Sequence, residues 1–165
     1  MPRPKRAMRT VIRQAVIADA EAISSLNADV QALHAAGLPR RFKPPSPETF
    51  PASAVIALLA EPSNIVFIAE VDRKPVGYAY AEIVRRPESA FQHAYEMVYL
   101  HHISVHARHR MQGLGQALLQ ALRSAAQQRG IDLLATDVWT FNKAAGGFFR
   151  RSGFEPYNER LWMRV

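Results

Sequence analysis

The chain has 165 residues, 48% apolar and 21% charged, an ordinary globular balance with enough apolar material for one sizeable core. It has no cysteine, which excludes disulfides, thiolate catalysis and sulfur-ligated zinc. No run approaches the roughly 20 apolar residues of a membrane span, and the N-terminus lacks the apolar stretch of an export signal, so a cytoplasmic protein without membrane contact is expected. The formal charge is +7, but Arg3, Lys5, Arg6 and Arg9 supply +4 of it with no acid nearby, leaving +3 for the body. Residues 1–9 read as a basic, solubilising tail ahead of one domain over 10–165, and nucleic acid is not the expected partner.

The elements alternate between strand and helix. Val11 to Ala15 predicts a first strand. Asp19 then precedes Ala20, Ile23, Leu26, Val30 and Leu33, the spacing of an amphipathic helix with an acidic start. Gly37 to Pro47 is a proline-rich loop, and Ala52 to Ala60 a second helix. Ile65 to Val71 and the alternating Val76 to Val84 flank the turn Asp72–Pro75 and read as a β-hairpin. Arg85 to His93 is polar, and Tyr95 to Val105 is a long strand rich in aromatic and β-branched residues. Leu114, Ala117, Leu118, Ala121, Leu122 and Ala125 form one helical stripe that Gly130 closes. Leu133 to Trp139 predicts a strand, Asn142 to Arg151 a short helix, and Glu159 to Val165 a last alternating strand.

The chemistry concentrates after the long strand. There a basic loop, Arg108, His109 and Arg110, runs through Met111 and Gln112 into Gly113-Leu114-Gly115-Gln116 at a helix start. The first turn of a helix has N–H groups without internal partners, its dipole adds positive charge there, and glycines let an anion approach the backbone. This describes a diphosphate pocket. A P-loop needs Lys-Ser or Lys-Thr after the second glycine, where Gln116 and Ala117 stand. A dinucleotide fingerprint needs a small residue at Leu118 and a shorter turn.

Arg110-Met111-Gln112-Gly113-Leu114-Gly115 resembles the Arg/Gln-x-x-Gly-x-Gly/Ala signature of the GCN5-related N-acetyltransferase (GNAT) superfamily. Ile103-Ser104-Val105 resembles the end of that family's fourth strand. Asn142 to Ala145, Phe149 and Gly153-Phe154 resemble its C-terminal segment, and Ile12-Arg13 with Asp19-Ala20 resembles its start. The resemblance spans about the whole chain. It implies an α/β fold with a mixed, mainly antiparallel twisted sheet, helices on both faces and a CoA cleft between the fourth and fifth strands. It also implies acetyl-CoA as donor. Backbone groups from Arg110 to Gln116 would hold the pyrophosphate, the edge at Ile103 and Val105 the pantetheine, and Asn142 the arm near the thiol. Dimers are common in relatives, so a homodimer is an allowed arrangement.

An amine must be neutral to attack a thioester. For a lysine-like amine with a pKa near 10.4, deprotonation at pH 7 costs about 4.6 kcal/mol. A general base would therefore assist, and a backbone N–H near Val105 could hold the developing oxyanion. The candidate bases are Asp137, five residues before Asn142 as in ribosomal-protein acetyltransferases, and His101, with Glu96 and His102 also on the strand. Strand alternation predicts His101 on one face with Tyr99 and Ile103, and His102 on the other. The family's usual general acid, a tyrosine seven residues after the asparagine, is here Phe149, which has no proton to give; Tyr157 is a substitute. The histidines lack a carboxylate cluster, so no metal is expected.

In this family the acceptor is set by the first two helices and by the loop between the third and fourth strands. Phe42, Arg41 and Arg86 are the candidate contacts there, and the excess of cations predicts an acceptor with an anionic part. The leading expectation is acetylation of a small-molecule primary amine by direct attack in a ternary complex. A protein N-terminus or lysine as acceptor, and a non-catalytic acyl-CoA or nucleic-acid module, are the alternatives.

Overall fold

A computed structural model describes residues 9–165. The tail expected over residues 1–9 lies outside them except for Arg9, whose N–H and C=O bond the Oδ1 and N–H of Asp72 at 3.1 and 2.9 Å. Five strands form one sheet in sequence order: β1 (Thr10–Gln14), β2 (Asn64–Val71), β3 (Lys74–Arg86), β4 (Tyr95–Val105) and β5 (Leu134–Thr136). β1 to β4 pair antiparallel, and β5 joins β4 in parallel. Asp72 and Arg73, at φ 50° and 66°, make the two-residue turn of the β2–β3 hairpin. Pro75 cannot donate to the ladder, and the register shifts opposite it, between Ala69 and Glu70.

The helices α1 (Ala20–Gly37), α2 (Ala52–Ala60), α3 (Leu114–Gln128) and α4 (Lys143–Arg151) cover both faces. Strand alternation divides the core. Ala79, Ala81, Val98 and Leu100 meet the α3 stripe Leu114, Leu118, Leu119 and Leu122 on one face. Val66, Ile68 and Tyr78 meet Ile23, Leu26 and Val55 of α1 and α2 on the other. Gly130, at φ 71°, closes α3 as its sequence position predicts, its N–H bonding Gln127 C=O at 3.0 Å.

Asp19 stands at the start of α1, as the acidic start predicts, and its carboxylate turns back to accept from the Val16 N–H at 2.8 Å and from Arg13. Two expectations change. The strand expected over Leu133–Trp139 shrinks to three residues, because its pairing with β4 ends at Leu100. Glu159–Val165 forms no strand: Leu161, Trp162 and Met163 are exposed, and no edge in the described chain pairs with them.

Candidate active site

The glycine turn is built as the sequence predicts, with one shift. Ala107–His109 form a single 3₁₀ turn that the Arg110 N–H closes on Ala107 C=O at 3.4 Å. Arg110 therefore does not offer its amide. Its side chain instead holds Val105 C=O through Nε at 2.9 Å and lies 3.7 Å from Asp29. The open amides begin at Met111: among the described residues, nothing accepts from the N–H groups of Met111, Gln112 or Gly113. The first intrahelical bond of α3 is Ala117 N–H to Gly113 C=O, at 2.9 Å, so Leu114, Gly115 and Gln116 also present first-turn amides. Met111 and Gly113 both take positive φ, 59° and 79°, which bends the chain around these donors. Gly115 faces Phe148 of α4, whose ring an added Cβ would touch at 3.4 Å. The Leu114 side chain is buried in the core, and Gln116 Oε1 accepts from the Ser152 hydroxyl at 2.9 Å. In the same basic turn, His109 keeps a buried Nδ1 without a partner among the described residues.

The open edge of β4 continues from this turn. Val98 and Leu100 face β5: Val98 N–H bonds Leu133 C=O at 2.9 Å, and Leu100 C=O accepts from the Thr136 hydroxyl at 3.0 Å. Regular alternation would then turn Ile103 and Val105 towards β3. A bulge prevents this. Ala81 pairs with Leu100 and Tyr80 with His102, which leaves His101 as an extra residue. Beyond it the phase reverses, so the backbone groups of Ile103 and Val105 turn to the edge that β5 has left. Arg110 reaches Val105 C=O from that side, while His106 N–H bonds Val76 of β3 at 2.8 Å. Amides at a helix start and an unpaired strand edge together suit a ligand with a diphosphate and an amide-bearing arm.

The same bulge corrects the expected faces of the histidines. His101 and His102 both meet Tyr80 on the α1–α2 face, with ring centroids 4.8 and 5.6 Å from its ring. Ile103 packs on the opposite face, with the α3 core. His101 Nε2 lies 3.0 Å from Glu82 Oε2, and the Tyr99 ring is 4.8 Å away. Burial and the neighbouring Asp137 carboxylate push the Tyr99 hydroxyl up to about 12, so it stays protonated at neutral pH. The two candidate bases, His101 and Asp137, thus both neighbour Tyr99. Glu82 was missed in the sequence; it shares a strand face with Tyr78 and Tyr80, but only the register opposes it to Tyr99, beside His101. Glu96 instead pairs with Arg85 near the far end of β4.

His102 has a different environment. Its Nδ1 lies 3.2 Å from the buried Tyr78 hydroxyl and 3.4 Å from Asn27 Nδ2, which itself donates to Tyr78 at 2.9 Å. Burial, then His101 and His34, push its pKa from 6.5 down to about 4. Between those values the unfolded chain binds a proton that the folded one refuses. The His102 contribution to stability is complete above pH 6.5 and is lost as pH falls towards 4, by about 3 kcal/mol in all. Urea denaturation at pH 7.5 and 4.5 is expected to show this loss in the wild type and much less of it in His102→Asn; equal losses would overturn the assignment.

α4 packs its Phe148 against Gly115 of the glycine turn. Asn142 Oδ1 caps the helix by accepting from Ala145 N–H at 3.1 Å, and its Nδ2 has no partner among the described residues. Phe149 is buried, packed between Phe148 and Phe154 at 5.1 Å each. Tyr157 is exposed in the segment after α4.

The candidate acceptor residues separate. Phe42 stacks on His34 of α1 at 5.1 Å and meets Trp139, from the β5–α4 connection, edge-on at 5.2 Å. The Arg41 guanidinium lies 4.7 Å above the Trp139 ring. Gly37 makes room for Phe141 in this cluster, since an added Cβ would stand 2.3 Å from its ring. The α1–α2 loop thus bridges to the β5–α4 connection. Arg86 does not join it. It lies six residues beyond Tyr80 along β3, about 20 Å from the bulge, and lines a separate open cleft of about 510 Å³ with Glu96, Gly130 and Asp132. Among the described residues no helix is long and apolar enough to cross a membrane, and no group of three or more His, Asp or Glu gathers as a metal site.

The fold is that of an acetyltransferase scaffold, as comparison with known proteins shows. The family model described as "Acetyltransferase (GNAT) family" matches residues 35–154, and the chain belongs to that family. No curated protein matches. Among solved structures, a tetramutant of the BH1408 protein from Bacillus halodurans superposes with a TM-score of 0.89 at 21% identity, over 94% of this chain and 99% of that one. The aminoglycoside N-acetyltransferase AAC(6')-Iy, solved in complex with CoA, gives 0.74 at 21% identity over 97% of each chain. The aminoglycoside acetyltransferase meta-AAC0020 from an uncultured soil metagenomic sample, solved with sisomicin, gives 0.66 at 17% over 94% and 96%.

Proposed function

We propose that the protein transfers the acetyl group of acetyl-CoA to a primary amine of a small cationic molecule. The carrying observation is the continuity of the unpartnered amides of Met111 to Gly113 with the open edge at Ile103 and Val105, which runs to the bulge where His101, Tyr99 and Asp137 gather. In this reading the amides hold the pyrophosphate, the strand edge pairs with the pantetheine, and Asn142 Nδ2 donates to the arm. Acetyl-CoA supplies the activated acetyl thioester. His101 and Asp137 are the groups able to take the amine proton, whose removal at pH 7 is otherwise worth about 4.6 kcal/mol for a lysine-like amine.

The acceptor reading departs from the anionic one. Arg41 is occupied over Trp139 and Arg86 stands about 20 Å away. Two carboxylates, Glu82 and Asp137, stand beside the bulge among the rings of Tyr80 and Tyr99, with Arg160 also near Tyr99. That favours an ammonium. The bridge of Phe42 and Arg41 onto Trp139 narrows the acceptor side, which favours a small molecule over a peptide. The aminoglycoside acetyltransferases of the same fold make such polyamines a natural part of the panel.

The test is CoA release from acetyl-CoA across polyamines, aminoglycosides, neutral amines, amino acids and a peptide. The chain has no cysteine, so a thiol reagent reads only the CoA. Turnover of small cationic amines, with a KM raised about tenfold in Asp137→Asn, is expected. Turnover of the peptide alone, or of anionic amines in preference, would overturn the acceptor reading.

A further inference from the structure

We infer that Glu82 is a positioning residue that fixes His101 in one tautomer and makes its Nδ1 the atom that takes the proton from the acceptor amine. The inference rests on the acetyltransferase reading and deepens it.

Glu82 Oε2 lies 3.0 Å from His101 Nε2. An ionised carboxylate only accepts, so Nε2 carries the hydrogen and the lone pair of the neutral ring is on Nδ1. Nδ1 has no partner among the described residues. The ring is held flat on Tyr80, 16° from parallel, and from the side by Tyr99 at 67°. It projects from the bulge, where β4 parts from β5 and its free edge begins.

The adjacent histidine has the opposite arrangement. The Tyr78 hydroxyl receives a hydrogen from Asn27 and has His102 Nδ1 as the acceptor for its own. His102 Nδ1 is therefore occupied, and the imidazole stays neutral. Of the two rings, His101 alone combines exposure, a nitrogen without a partner among the described residues and a carboxylate neighbour. The charged and titratable groups facing it are Glu82 and Tyr80 from β3, Tyr99 and His102 from β4, and, through Tyr99, Asp137 and Arg160.

The step balances without another reactant. Nδ1 takes one proton from the ammonium and the ring becomes imidazolium, with Nε2–H still on Glu82. The neutral nitrogen forms the N–C bond to the acetyl carbon. The C–S bond breaks, its electron pair leaves on sulfur, and the second nitrogen proton passes to the thiolate. The imidazolium returns its proton to water. Phe149, at the family's tyrosine position, is not needed in this sequence.

The test combines ring ¹⁵N NMR of the full chain with kinetics on an amine found by CoA release. Above pH 8, the wild-type His101 is expected as the Nε2–H tautomer, and Glu82→Gln as a mixture. Glu82→Gln is expected to lower kcat about 100-fold, because its amide NH2 can donate to Nε2 and hold part of the ring in the unreactive tautomer without the stabilising carboxylate, with the KM for acetyl-CoA unchanged and partial recovery in Glu82→Asp. Glu82 is 39% exposed at its side chain, so the exchange leaves the core intact. An Nδ1–H tautomer in the wild type, or an unchanged kcat in Glu82→Gln, would overturn the assignment. A wild type that turns over no amine would instead bring down the acetyltransferase reading, and the base role of His101 with it, whatever the tautomer.

Discussion

Gly113→Glu is expected to weaken acetyl-CoA binding at least 100-fold, about 2.7 kcal/mol, in a chain that still folds. Gly113 takes φ +79° at the start of α3, where an L residue costs about 1–2 kcal/mol of backbone strain. Its Cβ would meet nothing within 4 Å, so the side chain adds no clash inside the protein. The new carboxylate stands beside the free amides of Met111 to Gly113, competing for them and repelling a diphosphate. Calorimetric titration checks this, with Gly113→Ala as the variant that carries the strain without the charge; it is expected to weaken binding less than tenfold. Equal affinity of Gly113→Glu and the wild type would remove the helix start as the diphosphate site. No binding by the folded wild type would remove acetyl-CoA as donor.

Arg13→Met is expected to cost about 3 kcal/mol of folding stability at pH 7, the lower end of the range for breaking a buried ion pair from one side. The guanidinium holds Asp19 with two bonds, 2.7 and 2.8 Å, and reaches Glu70 through Nε at 2.9 Å. The Asp19 side chain is 6% exposed, and without Arg13 it keeps only the Val16 N–H. The Arg13 side chain is itself 33% exposed, which places the effect at the low end. Arg13 holds the Asp19 carboxyl below its ordinary 3.8. The stabilisation is therefore complete above pH 3.8 and disappears as pH falls through the folded-state value, so the wild-type and variant curves should converge in acid. Urea denaturation reads both effects. Arg13→Lys, which keeps charge but loses the two-pronged contact, should fall between. Equal midpoints at pH 7 would show that the buried carboxylate finds another partner.

The Arg13–Asp19 pair also shows how far the sequence reached. Both residues stood out in the family-like start, but their joint burial with Glu70 needed the β1–β2 register. The glycine turn, the α3 stripe and the β2–β3 hairpin were legible because each is decided by neighbours in the chain. A missing Cβ and a repeating apolar spacing are local properties. The acceptor chemistry was not legible in this way. Arg41 and Arg86 looked alike as loop cations, yet one lies on Trp139 and the other about 20 Å from the bulge. The alternating Glu159–Val165 segment carried a strand's pattern without a partner edge in the described chain. Most of all, one extra residue at His101 reversed the phase of β4. It brought both histidines to one face and turned the backbone of Ile103 and Val105 to the open side. The sequence by itself determined the local devices, above all the glycine turn at the start of α3. The tertiary structure alone decided which side chains meet across the cleft, because a bulge and a register are properties of two paired strands and are written in neither one.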